Sequence, residues 1–379
     1  MSMSEGIMDL VLNECQDRHI YLSDVYAPFF VSSYALHRFN MMNQNSKIYW
    51  ENKSIPNMRI HLLFVAPPGF MKTYYLESFA GLNNSIFCNT NTDIAFKQTL
   101  TEASFVGSAS AGSNGFKTYN EGVAETYKDG IIAVDEFSAI MNALKSQYNN
   151  QFESQLLAAL DHGNMHKDLA NGSIDYKTHL TLWGGIQPTR FDMTAGLGRR
   201  FCYLLFIPDD NDNQKLRSIK RETRNMKADP IGMMKMWNAI TKFNANMLKI
   251  KSISFDPEID DFYDSNDYFN YETSFFDKLI LGYNLATRGP EKHMEINLED
   301  KNLIALIERE KEWKTLLQKG VDFAMISKVI TKYGGRIHLS QLISECMIYG
   351  WNAAQIGTIV KTMRENGLIK GMGKTIELV

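Results

Sequence analysis

The chain has 379 residues, 44% apolar and 22% charged, which is the profile of a folded globular protein and excludes disordered, collagen-like and disulfide-miniprotein chains. A formal net charge of −3 excludes a chain that is basic throughout, so any nucleic-acid surface must be local. Cys15, Cys88, Cys202 and Cys346 form no CxxC or Cys/His cluster, no basic segment followed by an apolar run opens the chain, and no stretch of ~18 apolar residues occurs, so a cytoplasmic protein with neither zinc site, disulfide frame nor membrane span is expected.

Residues 1–58 read as helical, with Ile7, Leu10, Val11 and Leu12 followed by an aromatic cluster at Tyr26, Phe29, Phe30 and Tyr34. At 59–66 an apolar run, RIHLLFVA, meets Pro67-Pro68-Gly69 and predicts a buried strand entering a loop. Further apolar runs stand at 131–134, 179–185 and 201–207 with helical stretches between them, the pattern of a parallel α/β sheet. From 214 to 251 the chain carries ten Lys/Arg, and from 256 to 277 eight Asp/Glu with no Lys/Arg. Such blocks read as solvated helix faces, or as surfaces that face each other across a subunit contact. Helical patterns follow at about 274–287 and 298–319. The last 60 residues predict three helices, at 321–333, 339–348 and 353–366, and then a two-stranded ribbon around Gly371-Met372-Gly373-Lys374, the order of a winged helix-turn-helix.

The strongest chemical signal is Ala66-Pro67-Pro68-Gly69-Phe70-Met71-Lys72-Thr73, between a predicted strand and a predicted helix. Backbone N–H groups there can cradle phosphate, with Lys72 on the β- and γ-phosphates and Thr73 on Mg²⁺. Ala66 and Met71 stand where the GxxxxGK[ST] pattern has glycine. A second signal is Asp135-Glu136 at the tip of the 131–134 strand: one carboxylate for the Mg²⁺ shell, the next to polarise the attacking water. Arg199 and Arg200 precede an apolar strand, and because buried unpaired guanidiniums are costly, they are expected to face a groove or a neighbour. His162, His166 and His179 are scattered and read as structural or surface residues.

Together these residues resemble AAA+ ATPases, and within them the minichromosome-maintenance type of replicative helicase. RIHLLFVAPPGFMKT resembles that family's Walker A strand and loop, and YKDGIIAVDEFSAIM its Walker B segment. FVGSASAGSNGFKTYNEGVAETYKDG falls at its helix-2 insert, and LTLWGGIQPTRFD is similar to its sensor 1 strand. The resemblance implies that Gln187 positions the nucleophilic water, that Arg200, in Gly196-Leu197-Gly198-Arg199-Arg200-Phe201, is a trans-acting arginine finger, and that Lys278 or Arg288 serves as a second sensor cation. It implies ATP and Mg²⁺ as ligands, a hexameric ring, and DNA contacted through the winged helix and a hairpin at 165–178, whose lysines, Lys167 and Lys177, lie on its flanks. The expected architecture is an N-terminal helical segment (1–58), an AAA+ core (59–212), a helical lid with connecting region (213–319) and a winged helix (320–379). Too short for the family's N-terminal oligonucleotide-binding domain, the chain resembles a shortened relative of the kind an archaeal virus or mobile element encodes. The expected function is DNA unwinding or remodelling. The alternatives are an ATP-dependent switch or loader that docks a partner, and an ATPase that holds its nucleotide structurally.

Overall fold

The computed structural model describes all residues except 1–5, 82–84, 88–92, 112–116, 146–149, 170–171, 192–196, 226–228 and 372–373. Cys88, Gly196, the hairpin tip at Ala170 and Asn171, and the ribbon tip at Met372 and Gly373 lie outside the described residues. The architecture is α/β, and its centre is a five-stranded, wholly parallel sheet. In chain order the strands are His61–Val65, Ile94–Lys97, Ile131–Val134, Thr181–Ile186 and Phe201–Leu205; in space they run fifth, first, fourth, third, second. Four of them match the apolar runs in the sequence, because a parallel strand covered on both faces is apolar along most of its length. Strand Ile94–Lys97 was not predicted: it is a four-residue edge strand whose last two side chains are only half-buried.

Helix Ser23–Asn43 is almost wholly buried and lies against this sheet. Its Ser33 hydroxyl donates to the Ile60 carbonyl at 2.7 Å and accepts from the Trp183 indole N–H at 2.9 Å. Phe30 stacks on Phe79 at 4.8 Å and meets Trp183 edge-on at 5.2 Å. The other side of this helix packs on Asn270–Arg288. Strand Tyr49–Trp50 pairs in parallel with Ser252–Phe255, which pairs with His293–Ile296. The 1–58 and 213–319 segments are therefore interleaved in space, joined by ladder hydrogen bonds and a shared core.

Two hairpins leave the sheet. Gly107–Ala111 with Lys117–Glu121 lies in the expected insert, and Asn164–Leu169 with Gly172–Lys177 matches the expected 165–178 hairpin. Helices Asp210–Glu222, Pro230–Asn246 and Glu258–Ser265 follow the fifth strand. Helix Lys301–Lys332 is interrupted at Gly320, whose φ of 104° and ψ of 112° suit glycine alone. Beyond it, strand Arg336–His338 joins Ile369–Lys370 and Thr375–Leu378 in a three-stranded antiparallel sheet beside helices Leu339–Cys346 and Ala353–Glu365. Strand 336–338 was missed because it is three residues long and immediately abuts a helix. Among the described residues no helix is long and apolar enough to cross a membrane.

Glu310 is fully buried where helix Lys301–Lys332 meets the fifth strand, and its Oε1 accepts from the Tyr203 N–H at 3.5 Å. Burial pushes its carboxyl up to about 7, against the pull of Lys314. The folded protein therefore holds this proton more tightly than the unfolded chain does. Stability should be full below the ordinary glutamate value and fall as pH rises towards about 7. Thermal melts at pH 5 and pH 8 check this: Glu310→Gln should shrink the drop in Tm between the two. An identical drop in variant and wild type would exclude Glu310 as its source.

Candidate nucleotide site

Loop 66–71 joins the first strand to helix Lys72–Ala80, so the N-terminal N–H groups of that helix open onto the strand ends. The Ala66 N–H donates to Ile186 O at 3.1 Å, which ties the loop to the central strand. Gly69 has φ 78° and Met71 φ 49°. A methionine held there costs on the order of 1–3 kcal/mol, where glycine would adopt the same turn without strain. Lys72 is buried beneath the loop, and its Nζ donates to the Ala66 and Pro67 carbonyls, each at 2.8 Å. Burial lowers its ammonium to about 8, against the pull of Glu136 and Asp135.

The Thr73 hydroxyl donates to Asp135 Oδ1 at 2.6 Å, so the two expected magnesium ligands meet. One position further along, Glu136 Oε2 accepts from Gln187 Nε2 at 3.4 Å and lies 3.9 Å from the Arg190 guanidinium. Arg190, which also donates to Ser138 Oγ at 3.2 Å, was not singled out in the sequence. The convergence depends on Gly185 of the central strand. A Cβ there would stand 2.7 Å from Asp135 O and 3.4 Å from Lys72 Cβ, so any side chain would push the acid and the loop apart.

A cavity of about 650 Å³ opens over the loop, within the range of small-molecule sites. Gly69, Lys72 and Thr73 form one wall. The wall opposite was not legible in the sequence: His19 and Tyr21 come from the turn before helix Ser23–Asn43, and Arg217 and Lys220 from helix Asp210–Glu222. His19 and Leu22 have φ of 53° and 54°, so strained backbone borders the cavity on this side as well as at Met71. Asp135 and Glu136 do not line the cavity; Asp135 is joined to it through Thr73.

The remaining expected site residues lie elsewhere. Arg200 stands at the start of the fifth strand, at the far end of the sheet from loop 66–71, and its Nε donates to Asp161 Oδ1 at 2.8 Å in a two-point ion pair. The resemblance placed the arginine finger here; the structure gives this guanidinium a carboxylate in its own chain. Arg199 is exposed, with its guanidinium 5.7 Å above the Tyr271 ring.

Neither expected second-sensor cation reaches loop 66–71 of its own chain. Lys278 lines a separate cavity of about 560 Å³ at the strand starts, with Arg59, Asp161, His162, Lys177 and His179. Burial and the neighbouring Arg59 lower its ammonium to about 8, against Asp161. Arg288 donates to the Glu295 carbonyl beyond the end of its helix. The reason is packing: helix Asn270–Arg288 is oriented by the apolar face it buries on Ser23–Asn43, and its cations point wherever that face leaves them.

The described flanks of the 164–177 hairpin do not offer lysines near its tip. Lys167 is half-buried and paired with Glu102 at 2.7 Å, Lys177 is exposed but sits at the base, and His166, Asp168 and Asp175 are exposed nearer the tip. His162 Nδ1 accepts from the Asn164 N–H, His166 bonds Asp175 and His179 bonds Asp129, all structural contacts. Among the described residues no group of three or more His, Cys, Asp or Glu is arranged to hold a metal. Thr73 and Asp135 nonetheless suit Mg²⁺, which takes one or two protein oxygens and completes its shell with phosphate and water. The chain matches no protein-family model and no curated protein.

Proposed function

We propose that the chain is an AAA+ ATPase of the minichromosome-maintenance type that couples ATP hydrolysis to DNA remodelling or unwinding. One observation carries the reading: Lys72, Thr73, Asp135, Glu136 and Gln187, spread over 116 positions of sequence, converge at the ends of three adjacent parallel strands. The strand order, which puts the Gln187 strand between the loop strand and the Asp-Glu strand, supports it. In this reading, helices 210–222, 230–246, 258–265 and 270–288 belong to the lid and connecting region, and residues 320–379 are a winged helix.

Each residue then has a task. Lys72 leaves the Ala66 and Pro67 carbonyls to donate to the β- and γ-phosphate oxygens of the substrate. Thr73 and Asp135 would hold Mg²⁺, which when bound would neutralise phosphate charge. Glu136 accepts a hydrogen bond from the attacking water, and Gln187 and Arg190 hold that carboxylate in place. The expected partner is DNA, met by the exposed cations Arg336, Lys361, Arg364, Lys370 and Lys374 of the C-terminal module.

A second reading, an ATP-driven switch or loader, is favoured by the hairpin, which presents Asp168 and Asp175 and commits Lys167 to Glu102. ATP turnover with and without single- and double-stranded DNA, run beside a strand-displacement assay, separates the two. Stimulation with displacement supports the helicase, stimulation without displacement supports the switch, and no turnover removes both. For the DNA surface, Lys361→Ala with Arg364→Ala should weaken binding alike on all sequences and flatten the slope of log affinity against log salt by about 2. An unchanged slope would make the module a protein-docking unit.

A further inference from the structure

Helix Asp210–Glu222 and the 3-10 turn that continues it carry Arg217, Lys220, Arg221 and Arg224. This i, i+3, i+4, i+7 spacing puts all four on one face. All four are exposed, and none makes an ion pair among the described residues. The stripe starts inside the nucleotide cavity, where Arg217 and Lys220 form part of the wall, and runs outward through Arg221 and Arg224.

The molecule holds a matching surface of opposite sign. Helix Glu258–Ser265 buries Ile259 and Tyr263 and exposes Glu258, Asp260, Asp261 and Asp264. Among the described residues Asp260 alone of these is paired, with Lys53 at 2.8 Å. Lys53 also bonds Asp277 at 3.0 Å, next in sequence to Lys278 at the strand starts. The acidic helix is thus tied to the opposite end of the parallel sheet from the basic stripe. It lies on the side where Arg199 rests over Tyr271. Exposed apolar side chains follow each surface in the chain: Ile231 and Met234 after the basic one, and Phe269 and Tyr271, stacked at 5.8 Å, after the acidic one.

We propose that the Arg217–Arg224 stripe docks on the Glu258–Asp264 face of a second copy of this chain. The two patches differ and sit at opposite ends of the sheet, so a contact made once between neighbours is head-to-tail, and repeating it builds a ring or a filament; sedimentation that stops at a dimer would mean that the two patches pair reciprocally and would overturn the head-to-tail arrangement. It also brings the edge of one copy that carries Arg199 toward the nucleotide cavity of the next. In this it rests on the ATPase reading and supplies that reading with its subunit contact. A nucleic-acid backbone would also be attracted to the stripe, but it would leave the acidic helix unexplained.

The test uses Arg221→Glu with Arg224→Glu, which spare the cavity lining, and separately Asp261→Arg with Asp264→Arg. Sedimentation velocity of the full chain, across protein concentration and at low and high salt, reads assembly; thermal melts and binding of a fluorescent ATP analogue report folding and the nucleotide site. Each double variant should raise the concentration for half-assembly by at least about tenfold, since like charges then face each other across the contact. A one-to-one mixture of the two should assemble again, because every contact in an alternating array then joins opposite charges; so should the four-fold variant in a single chain. Monomeric wild type, unchanged assembly in either double variant, or loss without restoration would each overturn the proposal. If Arg221→Glu with Arg224→Glu loses DNA binding while assembly is unchanged, the stripe belongs to nucleic acid. Absence of ATP binding alongside charge-dependent assembly would remove the ATPase reading and leave the interface standing.

Discussion

Lys72→Ala should reduce ATP turnover by about two to three orders of magnitude, the loss seen when one preorganised donor to developing charge is removed. The fold should survive. Lys72 itself lines the cavity and ends on two loop carbonyls, and water entering from the cavity can replace the ammonium there. The substitution also removes a buried cation whose charged form burial disfavours, so the melt should move little. A signature specific to this residue comes from pH. The ammonium titrates near 8, so wild-type ATP affinity should fall as pH rises past about 8, when the donor loses its charge. In Lys72→Met the same titration should be flat. Glu136→Gln provides the contrast: its amide oxygen can still accept from Gln187, nucleotide stays bound, and hydrolysis stops because no carboxylate polarises the water. Normal hydrolysis in Lys72→Ala and Glu136→Gln alike would dismiss the site. Loss of binding in Glu136→Gln would instead make that carboxylate part of the binding shell.

The parts of this site that were legible in the sequence are those that one short segment encodes. Ile131–Val134 had to be a buried strand because four apolar residues run unbroken between Gly130 and Asp135, and a carboxylate that follows a parallel strand lies at the end where such sheets hold ligands. That loop 66–71 follows a buried strand and opens a helix was legible for the same reason. Features that depend on two distant segments were not. The Tyr21 wall of the cavity arises because helix Ser23–Asn43 packs on the sheet and carries the preceding turn to the loop; in sequence Tyr21 is one aromatic among many. Arg217 and Lys220 were visible as part of a basic block, but charge counting does not say which face of a helix meets a cavity. Lys278 and Arg288 were chosen for being cations on the right helix, yet the buried contacts of that helix turned them to the strand starts and to Glu295. The partner of Arg200 lies 39 positions upstream, beyond any local pattern.

That ion pair changes which arginine a neighbour is expected to receive. Consecutive residues entering a strand point in different directions: Arg200 reaches Asp161, whereas Arg199 is exposed and makes no ion pair among the described residues. Arg199→Ala should therefore cut hydrolysis by about three orders of magnitude or more, the scale of a trans-acting arginine, without lowering Tm or ATP binding. Arg200→Ala leaves Asp161 without its guanidinium and should lower Tm. Its pair is partly exposed, so that loss should be modest. Mixing experiments separate the two roles. Where an Arg199→Ala subunit supplies the pocket and a Glu136→Gln subunit supplies the arginine, Glu136 and Arg199 are both intact at that contact, and activity should return although neither variant works alone. Arg200→Ala mixed with Glu136→Gln should recover only what the residual activity of Arg200→Ala contributes. If rescue appears with Arg200→Ala and not with Arg199→Ala, the finger is the residue that the resemblance indicated, and it must leave Asp161 to act. If co-assembled mixtures of both kinds stay inactive, no arginine of this pair acts across a subunit contact, and hydrolysis would have to be completed within one chain, where Arg190 lies 3.9 Å from Glu136.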